Sequence, residues 1–176
     1  MGNTTHMAGA REPERSDDGR WVVVDGRRWR ATDPALADPF RKEMVNELMA
    51  ARREVGQAKR AANAEAERTA RDRVHAAKVA LGERGAPWWQ PPSAAAQTER
   101  LGAVTLTLAR HRAPDRTICP SDVARAVGGD AWRSLMDPVR EVVRDLARAS
   151  EVEVTQHGEV LDPDRPWKGP VRIRAL

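Results

Sequence analysis

Residues 137–149 read DPVREVVRDLARA, and after Ser150 comes EVEVTQHG, residues 151–158. Val139, Val142, Val143 and Leu146 recur at helical spacing, while Arg133, Arg140, Arg144 and Arg148 fall along another face. One face suits a core and the other suits water or a partner. Asp137 is a good N-cap and Pro138 a good first helical residue, since proline lacks the amide hydrogen that would be orphaned there. The pattern therefore predicts a helix from Pro138. Beyond Ala149, Val152 and Val154 alternate with Glu153 and Thr155, so the period changes to two, and His157-Gly158 supplies a turn. A helix feeding a β-ribbon is the centre of a winged helix-turn-helix.

The residues upstream complete such a unit. Leu101, Val104, Thr105, Leu108 and Ala109 make the inward face of a helix beginning near Thr98, and Thr117-Ile118 can form a one-rung strand. Pro120 opens a second helix with Cys119 as its cap; cysteine caps poorly, so Ser121 and Asp122 are expected to help hold the free amides. Gly128-Gly129 makes a turn, and Asp130 can cap a short helix carrying Trp132, Leu135 and Met136 into the core. A return strand is expected at 171–174, with the wing spanning His157 to Pro170.

The first half has a different pattern. Residues 1–20 are polar without apolar periodicity and are expected to be a disordered tail. In WVVVDGRRWRA, Asp25-Gly26 sits between two strand-like runs, which predicts a type I′ hairpin with Val22 opposite Trp29 and Trp21 opposite Arg30. From Pro39 to Ala62, a seam of Phe40, Met44, Leu48, Ala51, Val55, Ala58 and Ala62 steps by three and four. Ala66, Ala70, Val74, Ala77 and Leu81 repeat the step after a bend at Asn63, a residue that can take the left-handed conformation ending a helix. The two helices are expected to pack antiparallel, with small residues meeting near the bend. Trp88 or Trp89 is expected to plug the open end against the hairpin, and QPPSAAAQ, residues 90–97, reads as a linker. The resulting fold class is α+β, mainly α. A β-hairpin and antiparallel helix pair occupy residues 21–89, and a winged helix-turn-helix domain occupies 98–176.

Composition bounds the function. The formal charge of +4 and pI near 9.9 mildly favour a polyanionic partner. From Thr98 onward, however, there are 13 Lys and Arg against 12 Asp and Glu, so the supposed reading domain is nearly neutral. No apolar run is long enough to cross a bilayer and the first residues lack a hydrophobic signal core, so no membrane association and a cytoplasmic location are expected. One cysteine forms no internal disulfide.

The segment TICPSDVARAVGGDAWRSLMDPVREVVRDLARASEVEVTQHGEVLDP, closing with KGPVRIR, resembles a bacterial domain-of-unknown-function family with a C-terminal winged-helix-like module. VDGRRWRATDP, ELMAARR and RVHAAKVALGERGAPWW resemble the N-terminal part found with that module in actinobacterial proteins. Some relatives carry the automatic label biopolymer transporter Tol, which the absence of a membrane segment argues against. The family implies no activity, cofactor or catalytic residue. Sequences that resemble this one often have serine at the helix cap where this one has Cys119, so a role resting on that hydroxyl does not carry over.

Two function classes follow. In the first, the module binds double-stranded DNA. Arg140 and Arg144 enter the major groove and pair with guanine, Arg133 binds phosphate, Arg148 lies on the same stripe, and His157, Arg165 and Lys168 line the backbone or minor groove with Trp167. Against this, Asp137, Glu141 and Asp145 are interleaved where they can pair with the arginines within the helix. In the second, the winged helix is a scaffold and the helical hairpin is a protein-interaction adaptor, its tip carrying Arg52, Arg53, Lys59 and Arg60. Trp21, Trp29, Trp88 and Trp89 could stack bases, or form the core of a small domain. His6, His75, His111 and His157 are scattered without metal-ligand spacing, and Cys119 lacks a partner that marks a nucleophile. No phosphate-cradling glycine loop occurs, so no catalytic residue, metal or cofactor is expected.

Overall fold

The computed structural model describes residues 14–176, which divide after Ala31 into two compact units. The first is a three-stranded antiparallel sheet, β1 (Glu14–Arg15), β2 (Trp21–Val24) and β3 (Arg27–Arg30), in the order β1-β2-β3. Asp25 and Gly26 both take positive φ, 51° and 71°, as a type I′ turn requires. The expected register follows: Val22 faces Trp29 and Trp21 faces Arg30. The guanidinium of Arg28 lies 4.9 Å from the Trp21 ring centre and that of Arg27 lies 5.4 Å from Trp29.

Two expectations are corrected here. The tail does not extend to Arg20: residues 14–15 pair with β2, and Ser16 and Asp18 close a tight turn in which the Ser16 hydroxyl donates to Asp18 at 2.6 Å. Polar turns and two-residue strands carry no periodicity, which is why this one was illegible. The rest of the expected tail, residues 1–13, lies outside the described residues. Trp29 is not core material, being 47% exposed.

The second unit, residues 32–176, is mainly helical: α1 (Asp38–Arg60), α2 (Ala64–Ala80), α3 (Ala94–Arg112), α4 (Pro120–Gly128), a 3₁₀ helix (Gly129–Leu135) and α5 (Met136–Arg148). It closes with a second antiparallel sheet in the order β5-β4-β6, comprising β4 (Val152–Gln156), β5 (Glu159–Val160) and β6 (Arg172–Ala175). The protein is thus α+β, mainly helical, with an N-terminal hairpin.

The α1–α2 pair packs along most of the expected seam, with Met44, Leu48, Ala51, Ala58, Ala70 and Ala77 buried, but Ala62 and Ala66, expected to meet at the bend, are exposed because α1 ends at Arg60. Between the helices the left-handed residue is Ala62, at φ 50°, and Asn63 instead caps α2 by accepting from the Ala66 amide at 3.0 Å. Arg73 of α2 ties the pair together. Its Nε and Nη2 donate to the buried Glu47 carboxylate at 2.9 and 2.7 Å, and its Nη1 donates to Glu54. Burial lowers the Arg73 pKa, but hydrogen bonds and charge from Glu47 and Glu54 outweigh it and leave the guanidinium above its ordinary value.

One core runs from Leu36 to Ile173, and α3 is its axis. Every residue from Ala103 to Ala109 is buried, as befits a helix covered all round. It packs against α1 and α2 on one side and against α4, α5 and β6 on the other. Its first turn comprises residues 94–97, which the sequence suggested as linker; Ser93 caps it through the Ala96 amide at 3.2 Å. Two ion clusters join α3 to other elements. Arg100 donates to the buried Asp33 at 2.6 Å, and Arg112 reaches Glu43 of α1 at 2.8 Å and Asp122 of α4 at 3.0 Å. Glu43 foremost, and Asp122, hold the Arg112 pKa above its ordinary value against the effect of burial.

Ile118 forms the expected single rung, exchanging both backbone hydrogen bonds with Ile173 at 3.0 and 2.8 Å. Val154 pairs with Ile173 across β4 and β6, and His157-Gly158, both at positive φ, turn β4 into β5. The helix expected to start at Pro138 instead starts at Met136, because the 3₁₀ helix runs directly into it. Asp137 therefore sits in the first turn rather than at the N-cap.

Candidate functional site

The arginines of α5 were the leading site residues on sequence. Val139, Val142 and Val143 bury one face of α5 against the core, which leaves Arg140, Arg144 and Arg148 on the flank beside the loop between β5 and β6. There each makes a contact with that loop. Arg140 donates through Nη2 to the Gly169 carbonyl. The Arg144 guanidinium lies 4.9 Å from the ring centre of Trp167, whose indole N–H donates to the Asp162 carbonyl at 2.8 Å. Arg148 donates to Asp164 at 2.8 Å and to Asp145 at 2.9 Å. Hydrogen bonding to Asp164, then to Asp145, holds the Arg148 pKa above its ordinary value.

These contacts close the loop onto its own helix. Arg144 is only 18% exposed, and Glu141 stands 3.9 Å from its Nε, an ion-pair separation too long for a hydrogen bond. Arg144 Nε and Arg140 Nη1 are both buried without a hydrogen-bond partner, so the arginines are held by packing as much as by pairing. The outward face of α5 belongs to the acids: Glu141 is 71% exposed and Asp145 69%, with Asp137 exposed in the same i, i+4 row. The interleaving noticed in the sequence thus sorts into two faces, with arginines against the loop and carboxylates toward solvent.

The remaining predicted residues are scattered. Arg133 lies on the 3₁₀ helix with its guanidinium 4.6 Å from the Trp132 ring centre, and Arg125 of α4 approaches the same ring at 4.6 Å. Neither has a carboxylate partner among the described residues. His157 is exposed in the β4–β5 turn. Arg165 is exposed beside Asp162 at 3.6 Å, and Lys168 is exposed while its carbonyl accepts from Gln156 at 2.7 Å. Arg52, Arg53, Lys59 and Arg60 are exposed on α1. Cys119 caps α4 with its amide donating to Asp122 at 3.0 Å and its sulfur 2.8 Å from the Ser121 hydroxyl.

Residues 98–176 match the family described as Protein of unknown function (DUF3253). The match begins inside α3 and covers every element from there to β6. Among curated proteins, none matches the chain. The description carries no activity, so the functional reading rests on the geometry.

Sequence reasoning missed one feature altogether. An apolar groove of about 420 Å³ lies between α2, α3 and α5, floored by Val79, Ala103, Leu106, Val142 and Leu146. Of these only Val142 and Leu146 were read from the sequence as a core face, and nothing in a single helix's periodicity shows that three helices leave a channel between them. No helix among the described residues is long and apolar enough to cross a membrane.

Proposed function

We propose that residues 98–176 form a winged helix-turn-helix used as a protein-interaction module, with the wing closed on its own helix rather than open to DNA. The element order supports the fold reading: helix, single-rung strand, helix, helix, then a β-ribbon whose long loop returns to the first rung. The observation that carries the functional reading is the engagement of Arg140, Arg144 and Arg148 with the 162–169 loop. It leaves Asp137, Glu141 and Asp145 on the face that would enter a major groove, where carboxylates meet phosphates of the same charge. The reading involves no catalytic step and no cofactor.

A second reading is favoured by one observation. Arg125 and Arg133, flanking Trp132 without carboxylate partners, could neutralise phosphates at the turn between α4 and α5. One titration separates the two. A mixed-sequence DNA duplex is titrated at low and moderate salt into the full chain, the Arg140→Ala/Arg144→Ala variant and the Arg125→Ala/Arg133→Ala variant. The interaction-module reading expects no salt-steep binding, and expects the first variant to lose stability. Salt-steep binding abolished in the first variant, with its fold retained, refutes that reading; binding abolished only in the second variant establishes the alternative.

A further inference from the structure

The groove between α2, α3 and α5 combines an apolar floor with an acidic rim. Its volume of about 420 Å³ lies within the range of ordinary ligand pockets. Glu99, Asp145 and Glu151 stand along its edges, and the one ionisable nitrogen base among its lining residues is His75. Two rim acids already have one cation each: Arg148 lies 2.9 Å from Asp145, and Arg110 lies 3.6 Å from Glu151. A carboxylate has lone pairs for more than one donor, so both can still accept from a partner. The rim also continues along α5 into the exposed row of Glu141 and Asp137. One cation without a carboxylate partner among the described residues stands at the His75 edge, where Arg84 Nη1 lies 3.2 Å from His75 Nδ1, while Arg125 and Arg133 are on α4 and the 3₁₀ helix, which contribute nothing to the groove lining.

We propose that this groove docks an amphipathic helix of a partner protein, with aliphatic side chains on the floor and lysine or arginine against Glu99, Asp145 and Glu151. This rests on the interaction-module reading and names its partner's chemistry. A helix suits the site because its i, i+3, i+4, i+7 side chains form one narrow row, while the flanking positions put cations on both sides of that row. The charge pattern selects against an acidic helix, whose carboxylates would face three others. It equally selects against nucleic acid.

The experiment uses the full chain and two labelled helical peptides that share a leucine row. One carries lysine and arginine at the flanking positions and the other carries glutamate. Fluorescence anisotropy gives affinity at low and moderate salt, and ¹⁵N–¹H shifts of the protein give the site. Ala76→Arg, on the half-exposed wall of α2, places a bulky cation in the groove without removing a core side chain; Asp145→Lys reverses part of the rim. Thermal melts of both variants establish that they fold.

The expected result is binding of the basic peptide alone, with shifts at Ala76, Gly102, Leu106 and Leu146, and affinity reduced on the order of tenfold by each variant. Equal binding of both peptides, shifts centred on another surface, or no binding of the basic peptide at millimolar concentration overturns the proposal. Failure of the underlying reading looks different: it appears as salt-steep duplex binding, which the DNA titration detects independently of any peptide.

Discussion

If the Arg144–Trp167 stack holds the loop onto α5, removing its two halves should not be additive. A cation over an indole contributes roughly 0.5–1 kcal/mol when exposed and about 2 kcal/mol when desolvated. With Arg144 only 18% exposed and Trp167 buried, the coupling should sit toward the upper part of that range, about 1.5 kcal/mol. Trp167→Leu also loses the 2.8 Å hydrogen bond to the Asp162 carbonyl, worth about 1 kcal/mol, and some ring burial, so the single variant should cost about 3–4 kcal/mol. Arg144→Ala removes the coupling and the packing of the aliphatic stem but also relieves a buried, unpartnered Nε, for a net of about 1–2 kcal/mol. Urea denaturation of the parent, both single variants and the double variant, followed by far-UV circular dichroism, closes the cycle. The term should persist at high salt, because a stacked guanidinium is screened less than the Glu141 pair at 3.9 Å. A coupling below about 0.3 kcal/mol, or one that vanishes in salt, would refute the claim that this contact closes the loop.

Three other outcomes follow from contacts elsewhere. Arg73→Met strands the buried Glu47 carboxylate between α1 and α2 and should cost about 3–5 kcal/mol in denaturant titration, while Arg73→Met/Glu47→Leu should recover most of it. Cys119→Ser puts a stronger hydroxyl acceptor at the α4 N-cap and should raise stability by roughly 0.5–1 kcal/mol, seen as a higher Tm. In the first unit, the Ser16 hydroxyl and then the Arg20 amide hold the Asp18 pKa below its ordinary 3.8. A depressed folded pKa stabilises the turn fully above 3.8 and loses that stabilisation as pH falls through the folded value. Carboxyl NMR titration should therefore give a midpoint below 3.8, and the turn amides should exchange faster only at more acidic pH.

Local patterns were legible in the sequence because local physics sets them. Asp25-Gly26 fixed its own turn type and with it the register of four pairs, and the three-four step of α1 and α2 picked out Met44, Leu48, Ala51, Ala58, Ala70 and Ala77, which are buried, though not the exposed Ala62 and Ala66. What a single stretch could not carry was the outcome of competition between stretches. Asp137 is a good cap, but the 3₁₀ helix already supplies a helical turn before it, so α5 starts earlier. Asn63 can end a helix or begin one, and the nearby Ala66 amide decides for the second. Arg140, Arg144 and Arg148 of the arginine stripe share one flank of α5 while Arg133 falls on the 3₁₀ helix, and the engagement of the three depends on a loop whose Trp167 and Asp164 lie about 20 residues on and have no periodic relation to them. Arg100–Asp33 and Arg112–Glu43 span still longer separations and left no sequence signal.

The burial of α3 on every side bears on how this chain can be divided. The matched segment begins at residue 98, inside α3, and leaves behind the helices α1 and α2 that cover one side of it. A fragment cut at that point would show Leu101 and its neighbours to water, lose the Glu43 half of the Arg112 cluster, and start a helix without its Ser93 cap. Such a fragment would associate through the bared face of α3, with a second copy of itself as the simplest cover. Portability of the module from chain to chain thus depends on a companion: whatever precedes residue 98 must supply a lid for α3.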